Sequence, residues 1–271
     1  MPGIIRKIAH PAFGMYAWTS FLIHAVITSV LLAITPGLSN RRRIARGFAR
    51  SFLASAGLRL DVDQDAEMPA EACVVVSNHA SYLDGIILTA ALPPNFAFVI
   101  KQEIRKVPIG HFLLRRLGSQ FVDRFDRRQG ARDARRLINA ANDGSALAFF
   151  PEGTFETEPG LLPFRRTAFA AAARASLPLV PVIITGSRRA LPAGSLWVRP
   201  GGIHVEIMAP LDFSASRDTP DARTLLRMTR RTMLEKLDEP DLAAGPGAVD
   251  DLRNGRAGQA PSGRRRRPDP G

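Results

Sequence analysis

The N-terminal part of the chain contains a long apolar stretch. Residues 12–35 include no Asp, Glu, Lys or Arg and a single histidine, His24. A helix of this length can cross the hydrocarbon core of a bilayer, but Gly14 and Pro36 also fit a hairpin that lies at the membrane surface. A secretory signal peptide is disfavoured because the run is long and no small-residue cleavage site follows it. The pattern therefore predicts a hydrophobic membrane helix or hairpin.

Basic residues flank this stretch unequally. Two precede it, Arg6 and Lys7, and five follow it: Arg41, Arg42, Arg43, Arg46 and Arg50. The more basic flank of a membrane helix usually stays in the cytoplasm, so we expect the protein at the cell membrane with the rest of the chain on the cytoplasmic side. Residues 1–50 are assigned to this membrane anchor and its basic flank.

From residue 73 onward, short apolar runs alternate with amphipathic stretches. This alternation is typical of buried strands separated by helices, and it predicts an α/β fold with a mixed central sheet flanked by helices. The predicted strands are residues 73–77, 97–100, 120–122, 146–150, 179–185 and 204–207. The predicted helices are residues 127–143, 168–175 and 221–237.

The composition changes after Glu239. Residues 240–271 are rich in Gly, Ala, Pro, Asp and Arg and include four consecutive arginines at 264–267. Such a segment cannot bury enough apolar area to fold, so we expect a disordered basic tail. Residues 51–239 then form one domain between the anchor and the tail.

The charge of the chain indicates an anionic partner. Its 37 Lys and Arg against 25 Asp and Glu give a formal net charge of +12. This excess fits nucleic acid, an anionic membrane surface or a phosphorylated substrate. The single cysteine, Cys73, excludes an intramolecular disulfide and a cysteine-based metal cluster, and its apolar surroundings predict a core position.

The first segment that carries chemistry is Ser77-Asn78-His79-Ala80-Ser81-Tyr82-Leu83-Asp84, between a predicted strand and a new helix. An Asp in the first helical turn can accept the proton of one ring nitrogen of a preceding His, which leaves the other nitrogen as a base. The segment also fits a structural interpretation, because Ser81 and Asp84 match a helix capping box and a lone His is more often structural. His79 and Asp84 are the catalytic candidates.

Three further segments carry candidates for binding an anion. In Phe150-Pro151-Glu152-Gly153-Thr154, Gly153 frees the backbone to approach an anion and Glu152 can orient neighbouring donors. Arg165 and Arg166 precede a helix of small residues and suit a phosphate contact or a solvated basic loop equally. Arg124 follows a predicted strand, and its planar guanidinium suits a phosphate monoester.

The order of these segments resembles the glycerolipid acyltransferase family, best known for lysophosphatidate (1-acylglycerol-3-phosphate) O-acyltransferases. The resemblance covers about residues 73–210 and includes the Lys101-x-Glu103 and Pro108-x-Gly110 stretch. Its four blocks are His79-x4-Asp84, Phe121-Val122-Asp123-Arg124, Phe150-Pro151-Glu152-Gly153-Thr154 and Val180-Pro181-Val182. Four blocks in the family's order are far more specific than one.

The resemblance implies a reaction and a site. A fatty-acyl group would pass from acyl-CoA or acyl-carrier protein to the free hydroxyl of a lysophospholipid, most directly 1-acylglycerol 3-phosphate to give phosphatidic acid. His79 would be the base and Asp84 its orienting partner, without a cofactor, a metal or an acyl-enzyme. The implied substrate-binding residues are Arg124 for the acceptor phosphate, Glu152, Gly153 and Thr154 for the acceptor site, and Lys101, Arg165 and Arg166, with strand 180–182 lining space for the acyl chain.

Two departures from the family pattern leave the acceptor open. Phe155 stands where many members carry Arg or Ser, and Thr167 stands where Gly is usual. An acyltransferase acting on a lyso-aminolipid, glycerol 3-phosphate or a glycan is therefore an alternative, as is a non-catalytic membrane adaptor. A nucleic-acid partner is not expected, because the basic residues flank an apolar segment and no nucleic-acid-binding module is recognisable.

Overall fold

The core of the molecule is one mixed sheet. The computed structural model describes residues 2–123, 127–211, 213 and 220–243. Within them seven strands pair in the order β1-β7-β6-β2-β5-β3-β4. The strands are β1 (Leu58–Gln64), β2 (Val74–Ser77), β3 (Ala97–Lys101), β4 (Gln120–Val122), β5 (Leu147–Phe149), β6 (Leu179–Thr185) and β7 (Gly201–Ile207). Strands β2 to β6 are parallel, and β7 and β1 run the opposite way.

Helices cover both faces of this sheet. They are α1 (Pro2–Ile34), α2 (Leu38–Ser55), α3 (Asp84–Ala91), α4 (Pro108–Arg116), α5 (Arg127–Asn142), α6 (Thr167–Ala175), the single turn α7 (Ser187–Ala190) and α8 (Ala222–Lys236), with a 3-10 helix at Gln102–Lys106. Successive side chains of a strand point to opposite faces. Val75 accordingly joins the core under α1, α2 and α3, whereas Val74 and Val76 join the core under α5, α6 and α8.

The predicted α/β class is confirmed, and the predicted elements are found with small shifts at their ends. The strands at Gln120–Val122 and Leu179–Thr185 have the predicted bounds. Cys73 is fully buried, as its apolar surroundings predicted. Strand β1 was not predicted, although Leu58, Leu60 and Val62 alternate with polar residues at the period of a strand. Its partner β7 lies far along the chain, so local sequence does not reveal the pairing.

The N-terminal helices form an antiparallel hairpin. Ser20 in α1 lies opposite Ser55 in α2, with their hydroxyl oxygens 2.8 Å apart, and Nε2 of His24 lies 3.1 Å from the hydroxyl of Ser51. The turn between the helices contains Gly37 at a φ of 78°, a conformation that favours glycine. Residues Ala12–Ile34 are long and apolar enough to cross a membrane, by length and composition. The predicted apolar helix or hairpin is thus present.

Four of the five arginines that follow the apolar stretch have a structural role that the sequence analysis did not predict. Arg41 donates to the carbonyl oxygen of Thr35, directly after the end of α1, at 2.8 Å. Arg46 and Arg50 donate to the carbonyl oxygen of Ala90, at the C-terminal end of α3, and Arg46 also reaches Ala91. Arg42 donates to carbonyl oxygens at positions 95 and 117. The carboxyl ends of helices carry unpaired carbonyl groups and partial negative charge, which these guanidinium groups satisfy.

The folded part of the chain extends into the predicted tail. The carbonyl oxygen of Pro240 accepts a hydrogen bond from the amide of Leu161 at 2.9 Å, and Asp241 pairs with Arg230. The prediction of a disordered tail from Pro240 onward therefore does not hold for Pro240 and Asp241. These two residues pack on the domain because the Leu161 amide and the Arg230 guanidinium bind them. Residues 244–271 lie outside the described residues, and the division into three regions stays a prediction.

Candidate active site

The candidate residues gather at one edge of the sheet. Strands β2, β5, β3 and β4 are parallel neighbours, so their carboxyl ends lie at the same edge. His79 follows β2, Pro151 and Glu152 follow β5, and Lys101 ends β3. Ligands of open α/β sheets bind at this edge, in the crevices outside the carboxyl ends of the strands.

The loop that carries His79 is held by the side chain of Asn78. Its amide nitrogen donates to the carbonyl oxygen of Ile184 at 2.9 Å, and its amide oxygen accepts from the Ile184 amide at 2.8 Å. Ser81 adds a second anchor, because its hydroxyl donates to the carbonyl oxygen of Leu191 at 2.8 Å. The sequence analysis did not predict this role of Asn78. An Asn side chain can both donate to and accept from a backbone, but its partner strand β6 is distant in sequence, so no local pattern indicates the contact.

His79 and Asp84 meet as predicted from the motif. Nδ1 of His79 lies 2.8 Å from Oδ2 of Asp84, whose side chain is fully buried. The same oxygen accepts hydrogen bonds from the amides of Ala80 at 2.7 Å and Ser81 at 2.8 Å. Asp84 therefore closes the turn before α3 and also orients the imidazole, so the capping and the catalytic interpretations describe the same contacts.

These contacts decide which ring nitrogen is available. An ionised carboxylate only accepts hydrogen bonds, so a neutral imidazole in this contact has its proton on Nδ1 and its lone pair on Nε2. Nε2 makes no hydrogen bond to any residue that the structure describes, and the side chain keeps 18% of its surface exposed. A general base requires such a basic nitrogen that remains accessible to a substrate.

Aromatic rings surround the imidazole. Phe150 stacks on it with centroids 4.3 Å apart and planes inclined by 20°, and Phe155 packs edge-on at 4.5 Å. Tyr82, which is 62% exposed, packs against the outer side of Phe155 at 4.7 Å. Phe155, one of the two departures from the family pattern, thus lies directly against the candidate base.

Glu152 connects the histidine loop to the loop after β5. Its Oε1 accepts the amide of His79 at 2.6 Å, and its Oε2 accepts the amide of Leu162 at 2.8 Å. Burial raises the pKa of this carboxyl to about 7, as does the nearby Asp84, whereas the two amides and Arg230 lower it. Because both oxygens are occupied by backbone amides, Glu152 shapes the site through these loops, in line with its predicted role as a residue that orients donors.

Gly153 and Thr154 lie at the start of the same loop. Gly153 has a φ of 78°, and its amide donates to the carbonyl oxygen of Phe150 at 3.1 Å. The Gly153 amide is therefore already engaged within the loop. Thr154 is exposed beside the aromatic cluster. The roles of both residues in acceptor binding stay predictions.

The structure describes three of the four basic candidates. Lys101, Arg165 and Arg166 are exposed, and the amide of Arg165 donates to the carbonyl oxygen of Pro151 at 2.8 Å, which keeps that residue next to the loop. Arg124 lies outside the described residues, so its predicted contact with the acceptor phosphate stays a prediction. Its neighbour Asp123 is described, and its amide donates to Asp133 at 2.8 Å.

The fourth sequence block has a structural position. Val180 and Val182 are fully buried in the core on one face of β6, between the sheet and the N-terminal helices. The prediction that strand 180–182 lines space for an acyl chain therefore has no support in these contacts. The alternative of a buried structural strand describes them.

Comparisons with known proteins show the family of the chain. A family model described as Acyltransferase matches residues 59–185. A 1-acyl-sn-glycerol-3-phosphate acyltransferase of Haemophilus influenzae is 30% identical over 179 residues, which cover 65% of this chain and 73% of that protein. The 1-acyl-sn-glycerol-3-phosphate acyltransferase beta of Homo sapiens is 33% identical over 178 residues, which cover 63% of this chain and 62% of that protein.

A solved structure shares the fold. The crystal structure of the 1-acyl-sn-glycerophosphate (LPA) acyltransferase PlsC from Thermotoga maritima superposes with a TM-score of 0.72 at 20% identity, covering 85% of this chain and 95% of that one. The chain belongs to the glycerolipid acyltransferase family, as the motifs predicted. It spans between 40% and 65% of the length of its relatives from Brassica napus, Saccharomyces cerevisiae and Chlamydomonas reinhardtii.

The raised pKa of Glu152 makes a prediction about stability. The unfolded chain loses this proton near pH 4.5 and the folded protein keeps it to about pH 7. The free energy of unfolding should therefore be largest below the lower value and fall as the pH rises to the upper one, by about 3 kcal/mol from this group. Urea unfolding across this pH range should show a steeper decrease for the wild type than for Glu152→Gln. Equal slopes would contradict the assignment.

Proposed function

We propose that the protein transfers a fatty-acyl group from an acyl thioester, acyl-CoA or acyl-carrier protein, to the free hydroxyl of a lysophospholipid. The acceptor proposed first is 1-acylglycerol 3-phosphate, with phosphatidic acid as the product. The observation that carries the proposal is the 2.8 Å contact between Nδ1 of His79 and Oδ2 of Asp84, with Nε2 directed away from it. The relatives named as 1-acyl-sn-glycerol-3-phosphate acyltransferases support the choice of reaction.

One imidazole can carry the proton through the whole reaction. Nε2 of His79 takes the proton of the acceptor hydroxyl as that oxygen attacks the thioester carbonyl, which gives a tetrahedral intermediate. The intermediate collapses by breaking the carbon–sulfur bond, and the imidazolium returns the proton to the departing thiolate. Asp84 stabilises the imidazolium while Nδ1 keeps its hydrogen bond. The ester forms, the thiol leaves and no covalent enzyme intermediate is needed.

The aromatic rings around His79 favour acyl transfer over hydrolysis. The ring centroids of Phe150 and Phe155 lie 4.3 and 4.5 Å from the centroid of the imidazole, so these rings replace water on two of its sides. Water competes with the acceptor hydroxyl for the thioester, so its exclusion favours the transfer reaction.

A second acceptor class has support from Phe155. This ring occupies the position beside the base where many family members carry Arg or Ser. An apolar ring cannot form the charge-assisted hydrogen bonds by which a guanidinium binds phosphate. The alternative function is therefore the same acyl transfer onto an acceptor with less charge at this point, such as a lyso-aminolipid.

The proposal includes membrane binding through α1. The side of α1 that faces away from the sheet exposes a row of large apolar side chains: Met15, Tyr16, Leu22, Ile23, Val26, Ile27, Val30 and Ile34. The loop at Leu196 continues this surface, because Nε1 of Trp18 donates to the Leu196 carbonyl oxygen at 2.5 Å and Leu196 is 68% exposed. Contiguous exposed apolar surface of this kind marks a lipid or protein contact.

The contacts of α1 favour a helix that lies along the membrane surface. Its inner side packs on α2, and Arg116 of α4 donates to the carbonyl oxygens of Leu32 and Ala33 at the end of α1. A helix attached to its domain over this length fits a surface hairpin better than an isolated span. The cytoplasmic side of the cell membrane stays our proposal for the catalytic domain, supported by the basic residues around the apolar stretch.

The proposed base predicts a specific loss of activity. His79→Ala should leave a folded, vesicle-binding protein whose acyl-transfer rate falls by a factor of about 10² to 10⁴. The matched control is His204→Ala, which removes a half-buried histidine of β7 and should leave the rate unchanged. Release of thiol from acyl-CoA and from acyl-carrier protein measures the rate. Full turnover of the His79 variant would exclude the proposed mechanism.

The proposed acceptor predicts a substrate ranking. With one labelled acyl thioester, the purified protein should convert 1-acylglycerol 3-phosphate to phosphatidic acid faster than it acylates a lyso-aminolipid, glycerol 3-phosphate or a glycan acceptor. Mass spectrometry of the lipid products identifies the reaction. A faster reaction with the lyso-aminolipid would establish the alternative, and consumption of no thioester with any acceptor would reject the enzyme.

The proposed membrane surface predicts an effect of charge on α1. Burial of a leucine side chain contributes about 1.5 to 3 kcal/mol, so Leu22→Glu should weaken binding to anionic phospholipid vesicles by about tenfold or more. Val62→Glu, which places the same charge at an exposed position of β1, should bind like the wild type. Vesicle flotation measures both variants. Equal binding of the two would exclude α1 as the docking surface.

A further inference from the structure

The C-terminal end of the described chain pairs with the loop that follows β5. Residues 239–242 run beside residues 160–162, and we call residues 239–242 the C-terminal strap. The amide of Leu161 donates to the carbonyl oxygen of Pro240 at 2.9 Å, and the Leu242 amide donates to the carbonyl oxygen of Leu161 at 3.1 Å. The carboxylate of Glu239 accepts the amide of Gly160 at 2.9 Å. The strap thus binds this loop as a short strand would.

Contact between the strap and the loop is close. A Cβ atom built on Gly160 would lie 2.5 Å from side-chain atoms of Leu242, and Gly160 has a φ of 145° that favours glycine. Real Cβ atoms do not approach other atoms at this distance. The glycine therefore permits the strap to lie directly on the loop.

Arg230 of α8 binds both the strap and the loop. Arg230 is buried, with 8% of its surface exposed. Its Nη1 donates to the carbonyl oxygen of Leu162 at 2.6 Å, and its Nη2 donates to the carbonyl oxygen of Leu161 at 2.7 Å. The guanidinium also pairs with the carboxylate of Asp241 and lies 4.9 Å from the centre of the Phe164 ring. A buried cation needs these partners to offset its lost hydration.

The loop connects these contacts to His79 through Glu152. Leu162, whose carbonyl oxygen is held by Arg230, donates its amide to Oε2 of Glu152 at 2.8 Å. Oε1 of Glu152 in turn accepts the amide of His79 at 2.6 Å. A continuous path of hydrogen bonds therefore runs from α8 and the strap to the backbone of the histidine that carries the chemistry.

We infer that Arg230, held by Asp241, is a positioning residue that fixes the backbone of His79 through Leu162 and Glu152. The inference rests on the proposed function, since it assumes that His79 acts as the base. It adds to the site two residues beyond the segment 59–185 that the family model matches. A misplacement of about 1 Å at a reacting group can cost about a hundredfold in rate, so a residue that holds this backbone affects turnover.

The charge of Arg230 acts on the Glu152 carboxyl, so the proposed positioning of His79 should depend on pH. The groups that act on the Glu152 carboxyl are Arg230 from α8, which lowers its pKa, Asp84 from α3, which raises it, and the amides of Leu162 and His79, which lower it. The ionised carboxylate accepts both amides, whereas the protonated form turns one oxygen into a donor. Loss of Arg230 therefore raises the pKa of Glu152 and moves the acid limb of the rate profile to higher pH.

The test compares neighbouring arginines of one helix in the full-length protein. Arg230→Gln should lower kcat for thiol release from acyl-CoA with 1-acylglycerol 3-phosphate by about 10- to 100-fold, with little change in KM for the donor. Its acid limb should move to higher pH, and Arg230→Lys, which keeps the charge, should restore the limb. The control Arg231→Gln removes a guanidinium that is 84% exposed and should match the wild type in kcat, KM and pH profile.

Each outcome decides the inference. A folded Arg230→Gln variant with wild-type kcat, or with a lower kcat and an unmoved acid limb, would overturn it. If Arg230→Gln does not fold, Asp241→Asn decides: a lower kcat per folded molecule at constant KM supports the inference, and wild-type kcat overturns it. An inactive wild type, or an active His79→Ala variant, would instead contradict the proposed function.

Discussion

The buried carboxylate of Asp84 holds the shape of the loop that carries His79. A carboxylate without solvent needs hydrogen-bond donors in place of water, and Oδ2 finds three within a short segment: the amides of Ala80 and Ser81 and Nδ1 of His79. The same atom closes the turn after β2 and selects the tautomer of the imidazole. The same hydrogen bonds therefore fix the local backbone and the orientation of the His79 ring.

Glu152 extends this arrangement beyond the loop. It is a second buried acid, and its pKa is raised first by burial and further by the negative charge of Asp84. The guanidinium of Arg230 offsets that repulsion and in turn depends on Asp241. The charge balance at the sheet edge therefore involves α3, the loop after β5, α8 and the strap.

Local patterns predicted much of the fold and part of the site. Strand β6 and helix α8 were predicted closely because apolar periodicity depends on neighbouring residues, and Asp221 caps α8 as a sequence signal would indicate. The pairing of His79 with Asp84 was predictable because five positions and a helix start suffice for it. The contacts of Arg42, Arg46 and Arg50 were not predicted, because the carbonyl groups to which they donate lie elsewhere in the sequence.

The amino-acid sequence by itself determined most of the strands, the longer amphipathic helices and the His79–Asp84 pair, since each depends on residues a few positions apart, and the order of its motifs determined the family. The tertiary structure decided the rest. The position of β1 beside β7, the anchoring of Asn78 on β6 and the path from Arg230 to Glu152 join residues that are far apart in the chain. Such contacts form only when the sheet order is set, because a local pattern specifies which face a residue presents and not which partner it meets.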